Sequence, residues 1–91
     1  MYRVYILECD NAFFYVGLTT NLPTRLTQHQ RHQSIHTKRY EKIKLVYSEA
    51  FSKRSDAEER EKQLKGWSRA KKKALIGGDK ELLKGLSRSK S

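Results

Sequence analysis

The chain is short of acid: ten Asp and Glu stand against twenty Lys and Arg, a formal net charge of +10 over 91 residues. A surplus this large opposes compactness unless a polyanion offsets it, so nucleic acid, most simply DNA, is the expected partner. Cysteine occurs once, at Cys9, which excludes an intramolecular disulfide and leaves no metal-ligand spacing around it. A reducing cytoplasm is the expected compartment. Long apolar runs are missing too. No stretch nears the roughly 18 consecutive apolar residues of a membrane span. "MYRVYILECD" has neither the apolar length nor the small-residue cleavage site of a secretory leader. Neither membrane association nor a removed leader is expected, and there are no internal repeats.

What is present suffices for one modest core. Hydrophobic residues make up 36% and charged residues 33%, and five Tyr, three Phe and one Trp can fill an interior. A chain of this length folds as one domain, a monomer by default. The charge is uneven: residues 1–37 carry three basic and two acidic side chains, residues 38–91 seventeen and eight.

"YRVYILE" and "FFYVGL" are rich in β-branched and aromatic residues and flank "CDNA", where Asp10 and Asn11 suit a tight turn. A β-hairpin is predicted, with the more apolar second run as a central strand. Asn21 can cap a helix with Pro23 in its first turn, running to about Gln33. Ser34 to Tyr40 lacks periodicity and reads as a loop. In "KIKLVYSEAF", Ile43, Leu45 and Tyr47 alternate with Lys42, Lys44 and Val46, which predicts a third strand. Ser55 and Glu58 have the spacing of a capping box, opening a helix through Ala57, Leu64 and Trp67 that Gly66 breaks or bends. Ser68 caps a further helix with apolar Ala70, Ala74 and Leu75, which Gly77 and Gly78 end.

Several side chains on this scaffold can carry chemistry. Ala57, Glu61, Leu64 and Ser68 are spaced by four, three and four, so Glu61 shares the apolar side of its helix. A carboxylate there needs a partner, either a hard divalent cation or Lys65 one turn on. Periodicity alone favours the lysine. Arg25 and His29 are four apart on the first helix and can present a guanidinium to a phosphate and an imidazole to a water, although a stripe border often carries such residues. His32 and His36 are less constrained. Tyr5 and Tyr15 share a face only if the hairpin loop is odd-numbered or bulged; a two-residue turn would pair Tyr5 with Val16, and packing alone can explain both rings. Lys38, Arg39, Lys65, Arg69, Lys71, Lys72 and Lys73 are candidate phosphate contacts, against the commoner reading of a solvated face.

In order, "VYI", "YVG" ten residues on, "NLPTRLTQH", "SIHTKRY", "LVYSEAF" and "AEEREKQLKGWSRAKKKALI" resemble the GIY-YIG nuclease superfamily, and within it the small single-domain bacterial proteins of the UPF0213 type. The similarity spans about residues 2–76. It implies an α+β fold, a small three-stranded antiparallel sheet flanked by helices in the order β-β-α-β-α-α. Residues 1–78 would form the domain, and 79–91 a short helix or turn with a polar tail.

By the same resemblance Tyr5, Tyr15, Arg25, His29 and Glu61 correspond to the family's catalytic set. Glu61 would hold one Mg²⁺ or Mn²⁺ ion, with no small-molecule cofactor. A tyrosine would position or deprotonate the attacking water, aided by a depressed pKa, and Arg25 would stabilise the transition-state charge. Gly17 would permit a close backbone approach. Val4 and Val16 depart from the family's triplets, and "GGDKELL" offers Asp79 where larger relatives often have an asparagine. The implied activity is a metal-dependent endonuclease in DNA repair or processing. The alternatives are a non-catalytic nucleic-acid-binding module and a repair-complex adaptor.

Overall fold

The computed structural model describes residues 1–34 and 37–78. β1 (Tyr2–Cys9) and β2 (Phe13–Thr19) form the expected antiparallel hairpin. Asp10 and Asn11 both have positive φ, 54° and 56°, the conformation of a primed turn and one these two residue types tolerate. The Ala12 N–H donates to the Cys9 carbonyl at 3.0 Å and closes that turn. Cys9 nevertheless pairs with Phe13, so Ala12 is an extra residue and the loop is odd. Of the two registers open from sequence, this one puts Tyr5 opposite Gly17 and Tyr15 opposite Leu7, and both tyrosines face the same side.

β3 (Ile43–Phe51) pairs antiparallel with β1, and the strand order is β2-β1-β3. The expectation of a central β2 is therefore corrected: β1 is central and β2 an edge. The apolar character of β2 reflects cover on both faces, with Phe14, Val16 and Leu18 in one core cluster and Tyr15 against the other. β3 also departs from simple alternation. A register shift lies between Ile6 and Leu7, which pair with Tyr47 and Leu45, and leaves Val46 bulged. Ile43 and Leu45 consequently pack with Tyr5 and Leu7, while Val46 and Tyr47 join Val4 and Ile6 on the other face.

Three helices cover the sheet. α1 (Leu22–Gln30) starts as predicted, with Asn21 Oδ1 accepting from the Thr24 N–H at 3.2 Å and Pro23 in the first turn. It stops three residues short of the expected Gln33. His32 takes φ 60°, and the N–H groups of Gln33 and His32 donate back to the carbonyls of Gln28 and His29 at 2.8 and 3.0 Å, a Schellman ending. Leu22 and Leu26 of α1 pack on the Tyr5 face.

α2 (Arg54–Lys65) and α3 (Arg69–Gly77) serve the opposite face through Ala57, Leu64, Leu75 and Ile76. The predicted capping box does not form. α2 begins two residues earlier, capped by Lys53 without a side-chain bond, so Ser55 lies inside the helix and Glu58 pairs with Arg54 Nε at 3.3 Å. Gly66 caps α2 and leaves Trp67 beyond it. Ser68 caps α3 as predicted, accepting from the Lys71 N–H at 3.2 Å, and Gly78 takes φ 72°.

Ala70 is exposed, while Lys71 is buried. Its ammonium lies 4.2 Å from the centroid of Trp67, whose ring also meets the Arg60 guanidinium at 5.1 Å. Arg60 in turn pairs with Glu49, which accepts from the Tyr47 hydroxyl. His36, Asp79 and the C-terminal segment 79–91 lie outside the described residues.

The hairpin tip is tied to the start of β3 through Asp10. Its Oδ1 accepts from the N–H groups of Glu41 and Lys42 at 3.0 and 2.7 Å, and its own N–H donates to the Lys42 carbonyl at 2.7 Å. We expect Asp10→Ala to cost about 1–2 kcal/mol in urea unfolding, since both side-chain bonds are lost. Asp10→Asn, which keeps an acceptor oxygen and tolerates positive φ, should cost less than half as much.

Candidate active site

On the Tyr5 face, β1, β2, α1 and the turn after α1 bring four polar side chains together. Tyr5 is 1% exposed, and its hydroxyl lies 3.0 Å from His29 Nε2. His29 Nδ1 lies 2.7 Å from Thr37 Oγ1, and both residues are buried. A hydroxyl, an imidazole and a second hydroxyl thus form a continuous buried chain. The Tyr15 ring closes over it, 6.4 Å from Tyr5 and 5.2 Å from His29 between centroids.

Gly17 is the space in which Tyr5 lies. A Cβ at position 17 would overlap Cζ and Oη of Tyr5 well inside contact distance. The close approach expected of this glycine is real, but what approaches is the opposing phenol of its own cross-strand pair.

The charged members reach the same place. Arg25 is exposed on α1, one turn before His29, and its positive charge acts on both phenols; the negative charge of Glu61 acts on both as well. Glu61 extends from α2, and β2 is the edge strand of the sheet. Lys65, one turn after Glu61, also acts on Tyr15. Of the five residues singled out in the sequence, Tyr5, Tyr15 and His29 therefore pack together, and Arg25 and Glu61 are near enough for their charges to act on the two phenols.

Arg25 by itself does not depress either phenol pKa. Burial pushes Tyr5 up, helped by the neighbouring Tyr15, and outweighs the opposing pull of Arg25. Burial likewise raises Tyr15 against the pull of Lys65 and Arg25. Both phenols are held protonated.

Glu61 is the candidate metal ligand. Its side chain is 22% exposed, and its Oε2 lies 3.2 Å from Lys65 Nζ, so the i,i+4 ion pair anticipated from spacing is formed. Among the described residues no three His, Cys, Asp or Glu side chains are grouped to hold an ion. One accessible carboxylate suits a hard ion that keeps most of its water and is shared with a phosphate, as Mg²⁺ is, and does not suit a closed protein cage.

The seven predicted phosphate contacts do not form one surface. Lys38 and Arg39 are exposed in the turn beside the Tyr5 face, and Lys65 borders the phenols. Arg69, Lys71, Lys72 and Lys73 ride on α3 against the other face. Of these Arg69 covers the Phe14 ring at 5.3 Å, Lys71 is buried on Trp67, and Lys72 is partly buried, which lowers its pKa; Lys73 is exposed. Thr37 was not singled out, because a threonine in an aperiodic loop carries no pattern. His32 is exposed at the helix ending.

Comparison with known proteins agrees with this fold. The GIY-YIG catalytic domain matches residues 1–74. A UPF0213 protein of Natronomonas pharaonis is 35% identical over 77 residues, covering 84% of this chain and 91% of its own. A UPF0213 protein of Staphylococcus haemolyticus is 38% identical over 74 residues, covering 80% and 90%. The solution NMR structure of a UPF0213 protein from Bacillus halodurans superposes with a TM-score of 0.56 at 33% identity, over 85% of this chain and 84% of that one.

Two outcomes are expected of the site's packing. Gly17→Ala forces the Tyr5 ring off its seat and should destabilise the fold by about 1–3 kcal/mol in denaturant unfolding. The raised phenols also set an alkaline limit. Free tyrosine titrates near pH ~10, whereas Tyr5 and Tyr15 are raised and burial with the Glu49 bond pushes Tyr47 up to about 12. Above the unfolded value the unfolded chain gives up protons the folded chain keeps, so stability is full below pH ~10 and falls as pH rises through the folded values. Tyr5→Phe should flatten that decline in thermal melts taken across this range, and an unchanged slope would contradict the assignment.

Proposed function

The chain belongs to the GIY-YIG family, and from that premise we propose that it is a metal-dependent endonuclease that hydrolyses phosphodiester bonds in DNA, acting in the cytoplasm in DNA repair or processing. The observation that supports this reading is the buried Tyr5–His29–Thr37 chain, with Arg25 and Glu61 near enough for their charges to act on Tyr5. Glu61 is the residue that would hold Mg²⁺ or Mn²⁺, and the ion when bound supplies Lewis acidity toward a phosphate oxygen.

The chain's own groups do the rest. With its proton on Nδ1, donated to Thr37 Oγ1, His29 turns the Nε2 lone pair to Tyr5, whose hydroxyl donates to it. The Tyr5 oxygen then accepts from the attacking water. As the water oxygen bonds to phosphorus, its proton passes to Tyr5 Oη and the original phenol proton passes to His29 Nε2. The ester oxygen leaves with the electron pair of the broken P–O bond and is protonated by solvent. No phenolate accumulates, which suits a phenol whose burial disfavours charge. Arg25 binds the phosphate oxygens and offsets the charge that grows on them. Tyr15 packs on the imidazole and on Tyr5 and keeps bulk water off the relay.

One observation favours a second reading. The Glu61–Lys65 pair at 3.2 Å is also what a non-catalytic nucleic-acid-binding module or repair adaptor would keep. Labelled linear, flap and single-stranded DNA incubated with Mg²⁺ or Mn²⁺ distinguishes them. We expect cleavage that EDTA stops, that Glu61→Ala and His29→Ala each slow by about 100-fold or more, and binding that survives both changes. Salt-sensitive binding with no cleavage in the unaltered protein would leave the binding module; salt-insensitive association with a protein partner would leave the adaptor.

A further inference from the structure

We infer that Phe13, Tyr40 and Arg39 form a stacking site for one unpaired nucleobase of the strand that enters the active site, an inference that rests on the Tyr5 face being the nucleic-acid face. Phe13 is 57% exposed, and with Met1 it is one of two large apolar side chains so exposed among the described residues. A single exposed phenylalanine is unremarkable in itself. This one has company. The Tyr40 ring lies 5.6 Å away at 39°, and the Arg39 guanidinium sits 5.1 Å from the Tyr40 centroid while donating to its hydroxyl at 3.0 Å. Two π-faces and a planar cation are the groups with which proteins hold splayed bases and their phosphates.

Position ties the cluster to the chemistry. Phe13 pairs with Cys9 and Tyr15 with Leu7, so both rings point to the same face of β2, roughly 7 Å apart along the strand. Tyr40 is held by its N–H to the Thr37 carbonyl at 3.0 Å, and Thr37 is the residue that bonds His29. One short turn therefore carries both the support of the imidazole and one wall of the aromatic cluster. Residues 38–42, "KRYEK", hold three basic side chains and one acidic, which favours a phosphate-bearing occupant over an apolar protein surface. A duplex offers no free base face, so the ligand is a single strand, a flap or a frayed end.

The test is fluorescence anisotropy in EDTA, where no cleavage occurs, with labelled oligothymidylate, oligouridylate and a DNA duplex of equal length. Phe13→Ala should weaken single-strand binding about 5- to 30-fold and leave duplex binding within about twofold. Phe13→Trp should keep single-strand affinity and Phe13→Leu should lose it, since the requirement is for a ring and not for apolar bulk. The larger loss of the thymidylate and uridylate arms identifies DNA or RNA as the source of the base. Equal losses on single strand and duplex, full affinity in Phe13→Leu, or a change in sedimentation mass in place of strand affinity would overturn the stacking site. Its fate is separable from that of the nuclease: the Phe13 pattern in a protein that never cleaves would keep the stacking site and remove the catalytic reading, and Glu61-dependent cleavage without the Phe13 pattern would do the reverse.

Discussion

With Ala12 left unpaired between the Asp10–Asn11 turn and Phe13, β1 and β2 meet in the phase that turns Tyr5, Tyr15 and Gly17 to one side of the sheet. A side-chain period of two makes this an all-or-nothing matter. One residue fewer in the loop would send Tyr15, Gly17 and Phe13 toward α2 and α3 and bring Phe14 and Val16 under α1, exchanging the contents of two cores. Everything at the site descends from that phase. Gly17 clears the ground for the Tyr5 ring, the ring reaches His29, and the Schellman ending after His29 turns the chain so that Thr37 meets the far nitrogen. Asp10 supports the arrangement from the same turn by accepting two backbone N–H groups at the approach to β3.

The interior of this site is apolar in its effect on charge, and its rim is not. Tyr5, His29 and Thr37 are buried, whereas Arg25 is exposed and Lys65 borders Tyr15 from the solvent side. Such a division suits proton movement inside and phosphate binding outside. Desolvation keeps the phenols neutral and their hydrogen bonds short of water competition, while the cations that meet a polyanion keep their hydration until it arrives.

Much of the architecture was legible because it rests on local chemistry. Asp10 and Asn11 tolerate positive φ, Asn21 and Ser68 bond the N–H groups of their own helices, and Gly78 ends α3 in the left-handed region. What escaped depends on competition between partners. Ser55 lies inside α2, so Glu58 has no serine cap to reach back to and pairs with Arg54 one turn before it. Lys71, read as a phosphate contact, is buried because its stem can lie against apolar neighbours while Trp67 receives the ammonium. The run in β2 reads as central because burial on two faces and hydrogen bonding on two edges leave the same apolar signature. Glu61, Arg25 and the tyrosines were visible as residue types in order, but the shared face of the two tyrosines depends on an extra loop residue that the pattern could place only as one of two alternatives, and Thr37 had no pattern at all.

The one tryptophan of the chain has a consequence of a practical kind. Trp67 is clasped between Arg60 and Lys71 at the junction of α2 and α3, on the face of the sheet away from Tyr5. Cations held close to an indole alter its excited state, so the emission of this ring is a built-in optical gauge of how those two helices sit together. A spectral change on adding an oligonucleotide would then report either direct contact with α3 or a shift carried through the sheet, and a silent spectrum would mean that the two halves of this small domain keep their own counsel.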